Sequence, residues 1–112
     1  MFFVVRSTSP NPLFRALADP TRRGLYEHLA LHGEQTVHAL TAFAGISQPA
    51  VSKHLSLLKR AKLVQHRRDG RETHYRAHPD ALSPLADWLS HYSAFWQQRL
   101  NQLEFLLERM NP

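Results

Sequence analysis

The chain has 112 residues, of which 43% are apolar and 21% are charged, as expected for a single globular domain with a modest core. It contains no cysteine, which excludes disulfides, thiolate metal sites and cysteine nucleophiles. The net charge of +5 favours a polyanionic partner.

The apolar start of the chain does not have the pattern of a signal peptide or a membrane anchor. Residues 2–5 follow no basic residue and are too few for the core of a signal peptide. No apolar run elsewhere approaches the roughly 20 residues that span a bilayer. We therefore interpret residues 1–11 as a flexible arm, residues 12–112 as one domain, and the protein as cytoplasmic.

Three short helices are predicted in the first part of the chain. The first ends before Asp19, which caps a second helix that begins at Pro20 and ends at Gly33. Thr36 caps the third helix, and Gly45 ends it. Helical spacing places Leu13, Phe14 and Leu17 on one side of the first helix. In the second and third helices, the apolar residues that it turns towards a core are Leu25, Leu29, Val37, Leu40 and Phe43.

The fourth predicted helix has an apolar side and a hydrogen-bonding side. Ser47 caps this helix, and Pro49 lies in its first turn, where proline is tolerated. Val51, Leu55 and Leu58 follow the spacing i, i+4, i+7 and form the buried stripe. The residues left on the outer side are Gln48, Ser52, Lys53 and Ser56. Two short helices joined by a tight turn that contains glycine, the second polar on its outer side, are typical of a helix-turn-helix.

Residues 63–77 predict a β-hairpin, because Asp69-Gly70 separates two strand-like runs. A two-residue turn at that pair makes Arg68 oppose Arg71. The same register predicts the further pairs Arg67–Glu72 and Val64–Tyr75. Like charges that face each other repel unless an anion lies between them, and a phosphate backbone supplies such an anion.

Positive charge is concentrated on the fourth helix and the hairpin. Residues 53–76 hold eight of the fourteen Lys and Arg residues, opposed only by Asp69 and Glu72. A solvated basic face is the ordinary explanation of such a cluster. Its position next to the polar side of the fourth helix instead favours contact with nucleic acid.

Residues 78–110 predict one long helix or two segments, with Pro84 in the first turn of the main part. The broad apolar band of this region consists of Leu85, Trp88, Leu89, Tyr92, Phe95, Trp96, Leu100, Leu103, Leu107 and Met110. A helix from Pro84 to Met110 is about 40 Å long at ~1.5 Å per residue, and a domain this small cannot cover all of it. The surplus apolar surface is therefore expected to meet another chain.

The predicted elements follow the order of a winged helix-turn-helix, a mainly α fold with a small β-hairpin. This order is helix, helix, helix-turn-helix, basic hairpin and long C-terminal helix. The stretches that resemble the ArsR/SmtB family of bacterial transcription repressors are ALADPTRRGLYEHLA (16–30), SQPAVSKHLSLLKRAKLV (47–64), RRDGRETHYRA (67–77) and WLSHYSAFWQQRLNQLE (88–104). The pattern Tyr-x-x-Phe-Trp-x-x-Arg-Leu at 92–100 is similar to that of one subgroup. Members of that subgroup lack metal ligands and resemble the autorepressors encoded beside START-like (SRPBCC) proteins.

The resemblance implies a dimeric repressor that binds an inverted-repeat operator in double-stranded DNA. It also implies that the fourth helix enters the major groove, while the hairpin, or wing, reaches the flanking backbone or minor groove. The residues that it places in contact with DNA are Ser47, Gln48, Pro49, Ser52, Lys53, Ser56, Arg68, Gly70 and Arg71. The residues that it places in a homodimer interface, on the first and last helices, are Leu13, Phe14, Leu17, Tyr92, Phe95, Trp96, Leu100, Leu103 and Leu107.

The resemblance also bears on metals and cofactors. Founding members of the family open the third helix with a metal-binding Cys-x-Cys pair, and this chain has Thr36 and His38 there. A second family site pairs Asp and His at i, i+2 on the last helix, whereas Asp87 and His91 are at i, i+4. We therefore expect no metal and no cofactor.

Other functions fit the sequence less well. His28 and His32 at i, i+4 leave open a metal-responsive repressor of the same fold, but no third protein ligand accompanies them. The serines and the histidine of the fourth helix point apart, and no carboxylate orients the histidine, so we expect no enzyme. The aromatic band leaves open a ligand pocket between protomers. A winged helix that binds proteins is the remaining alternative, and it requires an apolar patch on the fourth helix.

Overall fold

The computed structural model describes residues 9–110, so most of the arm predicted at residues 1–11 lies outside the described part. The chain forms two compact units, which adjoin in sequence between Leu82 and Ser83. The elements of the first unit are α1 (Asn11–Ala18), α2 (Pro20–His32), β1 (Gln35–Thr36), α3 (Val37–Ala44), α4 (Gln48–Arg60), β2 (Val64–Asp69) and β3 (Glu72–Ala77). Those of the second unit are α5 (Ser83–Ser90) and α6 (Ser93–Met110). This mainly helical architecture with a small antiparallel sheet confirms the predicted fold class, while the single domain over 12–112 stays a prediction.

The link between α1 and α2 forms as the sequence predicts. The Asp19 carboxylate caps α2 by accepting hydrogen bonds from the backbone N–H groups of Thr21 at 2.8 Å and Arg22 at 3.1 Å. The bond from Arg22 is the main cause of a lowered pKa at Asp19, because it favours the charged carboxylate. Pro20 follows the cap, at a position where its missing N–H costs no hydrogen bond.

Two arginines at the start of α2 bind carbonyl groups at the C-terminal end of α1, which have no partner within their own helix. Arg22 Nε donates to the carbonyl oxygen of Ala16 at 2.8 Å, and Arg23 Nη1 donates to that of Leu17 at 2.7 Å. The stretch from Asp19 to Arg23 is therefore a joint that fixes α1 on α2.

The core of the first unit is formed by apolar side chains from most of its elements. Its buried residues are Leu13, Ala16, Leu25, Leu29, Leu40, Val51, Leu55, Leu58, Leu63 and Val64. The prediction that Phe43 faces this core was wrong, since Phe43 is 51% exposed and stacks on the His28 ring with 4.0 Å between centroids. The buried Leu40 marks the core side of α3. At about 100° per residue, Val37 and Ala44 lie to one side of Leu40 around the helix, where both are half-buried. Phe43 lies to the other side, which faces outward.

The three strands form one antiparallel sheet in the order β1–β3–β2. The turn of the hairpin lies one residue later than predicted, so each β2 residue pairs with a β3 residue two positions further along than predicted. Asp69 pairs with Glu72, so the turn is centred on Gly70 and Arg71 rather than on Asp69 and Gly70. Gly70 has a φ of 65° and Arg71 does not have a positive φ, which is the pattern of a type II′ turn. An Asp-Gly pair suits a type I′ turn and a Gly-Arg pair suits a type II′ turn. The sequence contains both pairs, and the structure uses the second.

The observed register changes which side chains oppose each other. Arg68 lies opposite Thr73, and Arg67 lies opposite His74. The predicted pairs that do not form are Arg68–Arg71, Arg67–Glu72 and Val64–Tyr75. Since side chains alternate along a strand, Arg67 and Arg68 point to opposite faces of the sheet.

The second unit is built from two helices, which is one of the two predicted alternatives. At the break, the backbone N–H groups of His91 and Tyr92 donate to the carbonyl oxygens of Trp88 at 3.3 Å and Leu89 at 3.0 Å. No described residue of α5 or α6 is buried. The large apolar side chains exposed on this unit are Trp88, Leu89, Tyr92, Phe95, Trp96, Leu100, Leu103, Phe105, Leu106, Leu107 and Met110. Within residues 9–110, no helix combines the length and the apolarity needed to cross a membrane.

Replacing Arg22 by Ala is expected to lower the free energy of unfolding by about 1–2 kcal/mol, because the carbonyl oxygen of Ala16 loses its donor. Urea denaturation followed by circular dichroism measures this change. Arg15→Ala is the matched control, since Arg15 is exposed on α1. Equal losses in the two variants would show that the joint contributes no stability of its own.

Candidate nucleic-acid interface

The polar side of α4 is exposed, as its sequence predicts. Val51, Leu55 and Leu58 are fully buried, which fixes the rotation of the helix about its own axis. The Ser47 hydroxyl caps the helix by accepting a hydrogen bond from the N–H of Ala50 at 3.3 Å. The predicted DNA contacts that are exposed at the start and along the outer side of this helix are Ser47, Gln48, Pro49, Ser52, Lys53 and Ser56.

A groove of about 350 Å³ lies between α4, the start of α3 and the wing, which comprises β2, β3 and their turn. α4 contributes Gln48 and Ser52, and the wing contributes Arg68 and Arg71. The remaining lining residues are Thr36, Val37, His38, Glu72, Thr73 and Tyr75. The structure thus brings two predicted base-contacting residues beside two predicted wing arginines.

The pairing of β1 with β3 explains why the start of α3 lies beside the wing. Gln35 pairs with Tyr75, and Thr36 pairs with His74. Thr36 also caps α3, because its hydroxyl oxygen accepts a hydrogen bond from the N–H of Ala39 at 3.0 Å. One residue therefore belongs both to the sheet and to the start of the helix.

The groove combines positive charge with neutral hydrogen-bonding groups. Arg68 and Arg71 share it with one carboxylate, that of Glu72. Burial raises the pKa of Tyr75, so its hydroxyl stays protonated at neutral pH and can donate as well as accept a hydrogen bond. Such a surface suits a polyanion whose bases also offer hydrogen-bonding groups.

The groove residues that were not predicted to contact DNA are Thr36, Val37, His38, Glu72, Thr73 and Tyr75. Thr73 and Tyr75 share a face with Arg68 in both the predicted and the observed register, because side chains alternate along the strand. His38 reaches the groove through the pairing of β1, a strand of only two residues that leaves no recognisable pattern in the sequence. The predicted DNA contacts that do not line the groove, although they lie on the same helix or wing, are Ser47, Pro49, Lys53, Ser56 and Gly70.

The opposite face of the wing holds an ion pair within the chain. The Glu34 carboxylate accepts two hydrogen bonds from Arg67, from Nε at 3.2 Å and from Nη2 at 2.7 Å. His74 Nδ1 lies 3.5 Å from the same carboxylate, and Asp69 Oδ2 lies 3.8 Å from Arg67 Nη1. The hydrogen bonding between Arg67 and Glu34 lowers the pKa of Glu34 and raises that of Arg67, so both groups stay charged.

The histidines do not assemble a metal centre in the described part of the chain. Between residues 9 and 110, no group of three or more His, Cys, Asp or Glu side chains is placed to hold an ion. His28 and His32 are neighbours, with ring centroids 4.6 Å apart, but His28 also stacks on Phe43. His38, at the position of a metal ligand in the founding family members, lines the groove instead.

A helix-turn-helix whose second helix shares a cationic groove with a β-hairpin defines a winged helix-turn-helix DNA-binding protein. A family model described as a helix-turn-helix domain matches residues 17–67. The chain is 39% identical over 100 residues to the HTH-type transcriptional regulator Rv2034 of Mycobacterium tuberculosis, which covers 89% of this chain and 90% of that protein. It is 30% identical over 82 residues to the transcriptional repressor SdpR of Bacillus subtilis, which covers 73% of this chain and 90% of that protein.

A solved structure supports the same grouping. An ArsR-like transcriptional regulator from Rhodococcus sp. RHA1 matches with a TM-score of 0.65 and 31% identity, over 86% of this chain and 90% of that chain. The chain therefore belongs to the ArsR/SmtB family of winged helix-turn-helix transcriptional regulators. It is a DNA-binding regulator and not an enzyme.

Proposed function

We propose that the protein is a homodimeric cytoplasmic repressor that reads an inverted-repeat operator in double-stranded DNA. The observation that carries this proposal is the groove that joins Gln48 and Ser52 of α4 to Arg68 and Arg71 of the wing. Similarity to SdpR, a transcriptional repressor, supports repression as the regulatory outcome. The similarity of residues 92–100 to the subgroup described above supports repression of its own operon.

The outer side of α4 reads the bases in this proposal. Gln48 can pair with adenine through two hydrogen bonds, and the Ser52 and Ser56 hydroxyls can donate to or accept from several bases. All three side chains belong to exposed residues on a helix whose rotation is fixed by its buried stripe. The major groove is wide enough to admit such a helix.

Phosphate contacts come from the wing and from the start of α4. Lys53, Arg68 and Arg71 supply positive charge, which holds the protein on the backbone without reading sequence. Ser47 and Pro49 lie at the N-terminus of α4, where free backbone N–H groups suit a phosphate. Gly70, with a φ of 65° and no side chain, lets the tip of the wing approach the backbone closely.

The second unit supplies the surface for a second copy of the chain. At about 100° per residue, seven apolar residues fall within roughly 140° of the circumference of α6. These residues, which are between 48% and 78% exposed, are Phe95, Trp96, Leu100, Leu103, Leu106, Leu107 and Met110. An apolar stripe of this width is what a helix buries against a partner. Leu106 extends the predicted interface, whereas Phe105 lies on the other side of α6, with its ring centre 5.7 Å from the Arg109 guanidinium.

The contribution of α1 to the dimer is smaller than the sequence predicts. Leu13 is only 4% exposed, because it packs into the core of its own chain. It therefore has little surface to offer to a partner. Phe14, which is 40% exposed, and the half-buried Leu17 are the predicted α1 contacts that keep accessible surface.

The competing functions have weaker support in the structure. A winged helix that binds proteins needs an apolar recognition surface, but the outer side of α4 consists of polar residues. A metal-responsive repressor needs a ligand set, and His28 and His32 supply only two neighbouring rings. We therefore propose DNA binding without a metal or another cofactor.

Sequence reading by α4 is tested with the operator selected by the purified protein from fragments of its source genome. Gln48→Ala is expected to weaken operator binding by about 1–3 kcal/mol and to relax sequence preference, because a base contact is lost. Arg71→Ala should weaken all sequences alike and lower the salt slope of log K by about 0.9 per protomer. Fluorescence anisotropy on operator and scrambled duplexes at several salt concentrations measures both effects.

The matched control for the loss of a glutamine is Gln98→Ala on the exposed surface of α6, which should leave both measurements unchanged. Unaltered operator preference in the Gln48→Ala, Ser52→Ala double variant would show that α4 is not the reading helix.

Dimerisation is tested by placing charge in the apolar stripe. The double variant Phe95→Asp, Leu103→Asp is expected to sediment as a monomer at micromolar concentration, because burying its carboxylates in an apolar interface is costly. Phe105→Asp, on the other side of the same helix, should remain a dimer. Analytical ultracentrifugation distinguishes the two states, and a monomeric wild-type chain would refute the proposed interface.

A further inference from the structure

The three arginines around the wing turn have different environments. Arg68 and Arg71 line the groove beside α4. Arg67 points to the opposite face of the sheet, where the Glu34 carboxylate accepts its two hydrogen bonds at 3.2 Å and 2.7 Å. This bidentate arrangement matches the planar fork of the guanidinium to both carboxylate oxygens, so it fixes the direction of the side chain as well as its charge.

The ion pair connects the two outer strands of the sheet. Glu34 directly precedes β1, whose Gln35 pairs with Tyr75 of the central strand β3. Arg67 belongs to β2, on the other side of β3. Their hydrogen bonds therefore cross the central strand, where His74 Nδ1 lies 3.5 Å from the Glu34 carboxylate.

The charge of Arg67 is balanced on this face before any DNA is bound. Glu34 is its main partner, and Asp69 Oδ2 lies 3.8 Å from Nη1. An exposed ion pair of this kind adds little to the stability of a fold, since water screens it. The ion pair has a larger effect on the binding of a polyanion than on the stability of the fold. Each free cation near DNA adds attraction that does not depend on sequence, and pairing with Glu34 removes one such cation.

We propose that Glu34 is a specificity-determining residue, which withholds Arg67 from DNA and so leaves Arg68 and Arg71 as the phosphate contacts around the wing turn. This inference rests on the proposed function, because it concerns how the DNA reader discriminates between sequences. The two remaining arginines share a groove with Gln48 and Ser52, so they engage phosphates in the pose in which α4 reaches the bases. A released Arg67 lies on the other face, so it contacts phosphates in poses in which α4 does not reach the bases, which favours non-specific DNA.

Glu34→Gln tests this inference by removing the charge while keeping the shape of the side chain. Its affinity for a scrambled duplex at about 0.1 M salt is expected to rise roughly 5- to 10-fold for each protomer that contacts DNA. The salt slope for that duplex should steepen by about 0.9 per protomer. The ratio of operator affinity to scrambled affinity should fall, whereas a merely structural role predicts weaker binding to both duplexes.

Glu27→Gln is the matched control, because it removes the same charge from an exposed residue of α2. It should leave the affinity ratio and the salt slope at their wild-type values. In the double variant Glu34→Gln, Arg67→Gln, the gain in non-specific affinity should disappear, since no cation is released. An identical response of Glu34→Gln and Glu27→Gln would overturn the inference.

A second pair of variants decides the question even if Glu34→Gln does not fold. Arg67→Gln should leave the non-specific salt slope unchanged, whereas Arg68→Gln should lower it by about 0.9 per protomer. Equal losses in both variants would overturn the inference and leave the proposed function intact. An unchanged slope in Arg68→Gln would contradict the proposed function itself, because the groove face of the wing would then not contact phosphates.

Discussion

The burial of Val51, Leu55 and Leu58 decides which side of α4 can meet DNA. A helix with one side locked into a core cannot turn about its own axis, so Gln48 and Ser52 are held on the outside. The same core continues past the helix, because the next apolar residues along the chain, Leu63 and Val64, are also buried and lead directly into β2. Packing therefore sets both the rotation of the recognition helix and the starting point of the wing.

The register of the hairpin then distributes the charge of the wing. A shift by one residue exchanges the two faces of a strand, and it would place Arg67 in the groove and Arg68 beside Glu34. Gly70 sets the register by allowing a turn with positive φ at its first central position. The predicted and observed two-residue turns differ by two positions in register, which leaves the faces unchanged. The alternation of side chains along β2 therefore determines which arginine stays available for phosphates and which is paired within the chain. The net charge of the region alone does not reveal this difference.

Much of the fold can be predicted from the sequence because its signals are local. The caps at Asp19 and Ser47 and the spacing of the apolar residues on α4 lie within one or two helical turns, and the structure confirms them. The hairpin register was mispredicted because two neighbouring residue pairs suit two different turn types. The ion pair between Glu34 and Arg67 spans 33 positions, and it depends on a two-residue strand that no periodicity indicates. Non-local pairing is thus the part of the site that required the structure.

The absence of cysteine from the sequence allows one direct measurement of how α4 lies on DNA. A single cysteine introduced by Ser56→Cys on the outer side of α4 can carry an iron-chelate reagent that cleaves nearby DNA strands. On the selected operator, we expect two clusters of cleavage about 34 Å apart, roughly one helical turn, because each protomer of the dimer places one α4 in the major groove. The same reagent at Glu27→Cys on α2 should cleave weakly and without clusters. Equal cleavage from the two positions, or no clustering from Ser56→Cys, would contradict the assignment of α4 as the helix that enters the DNA.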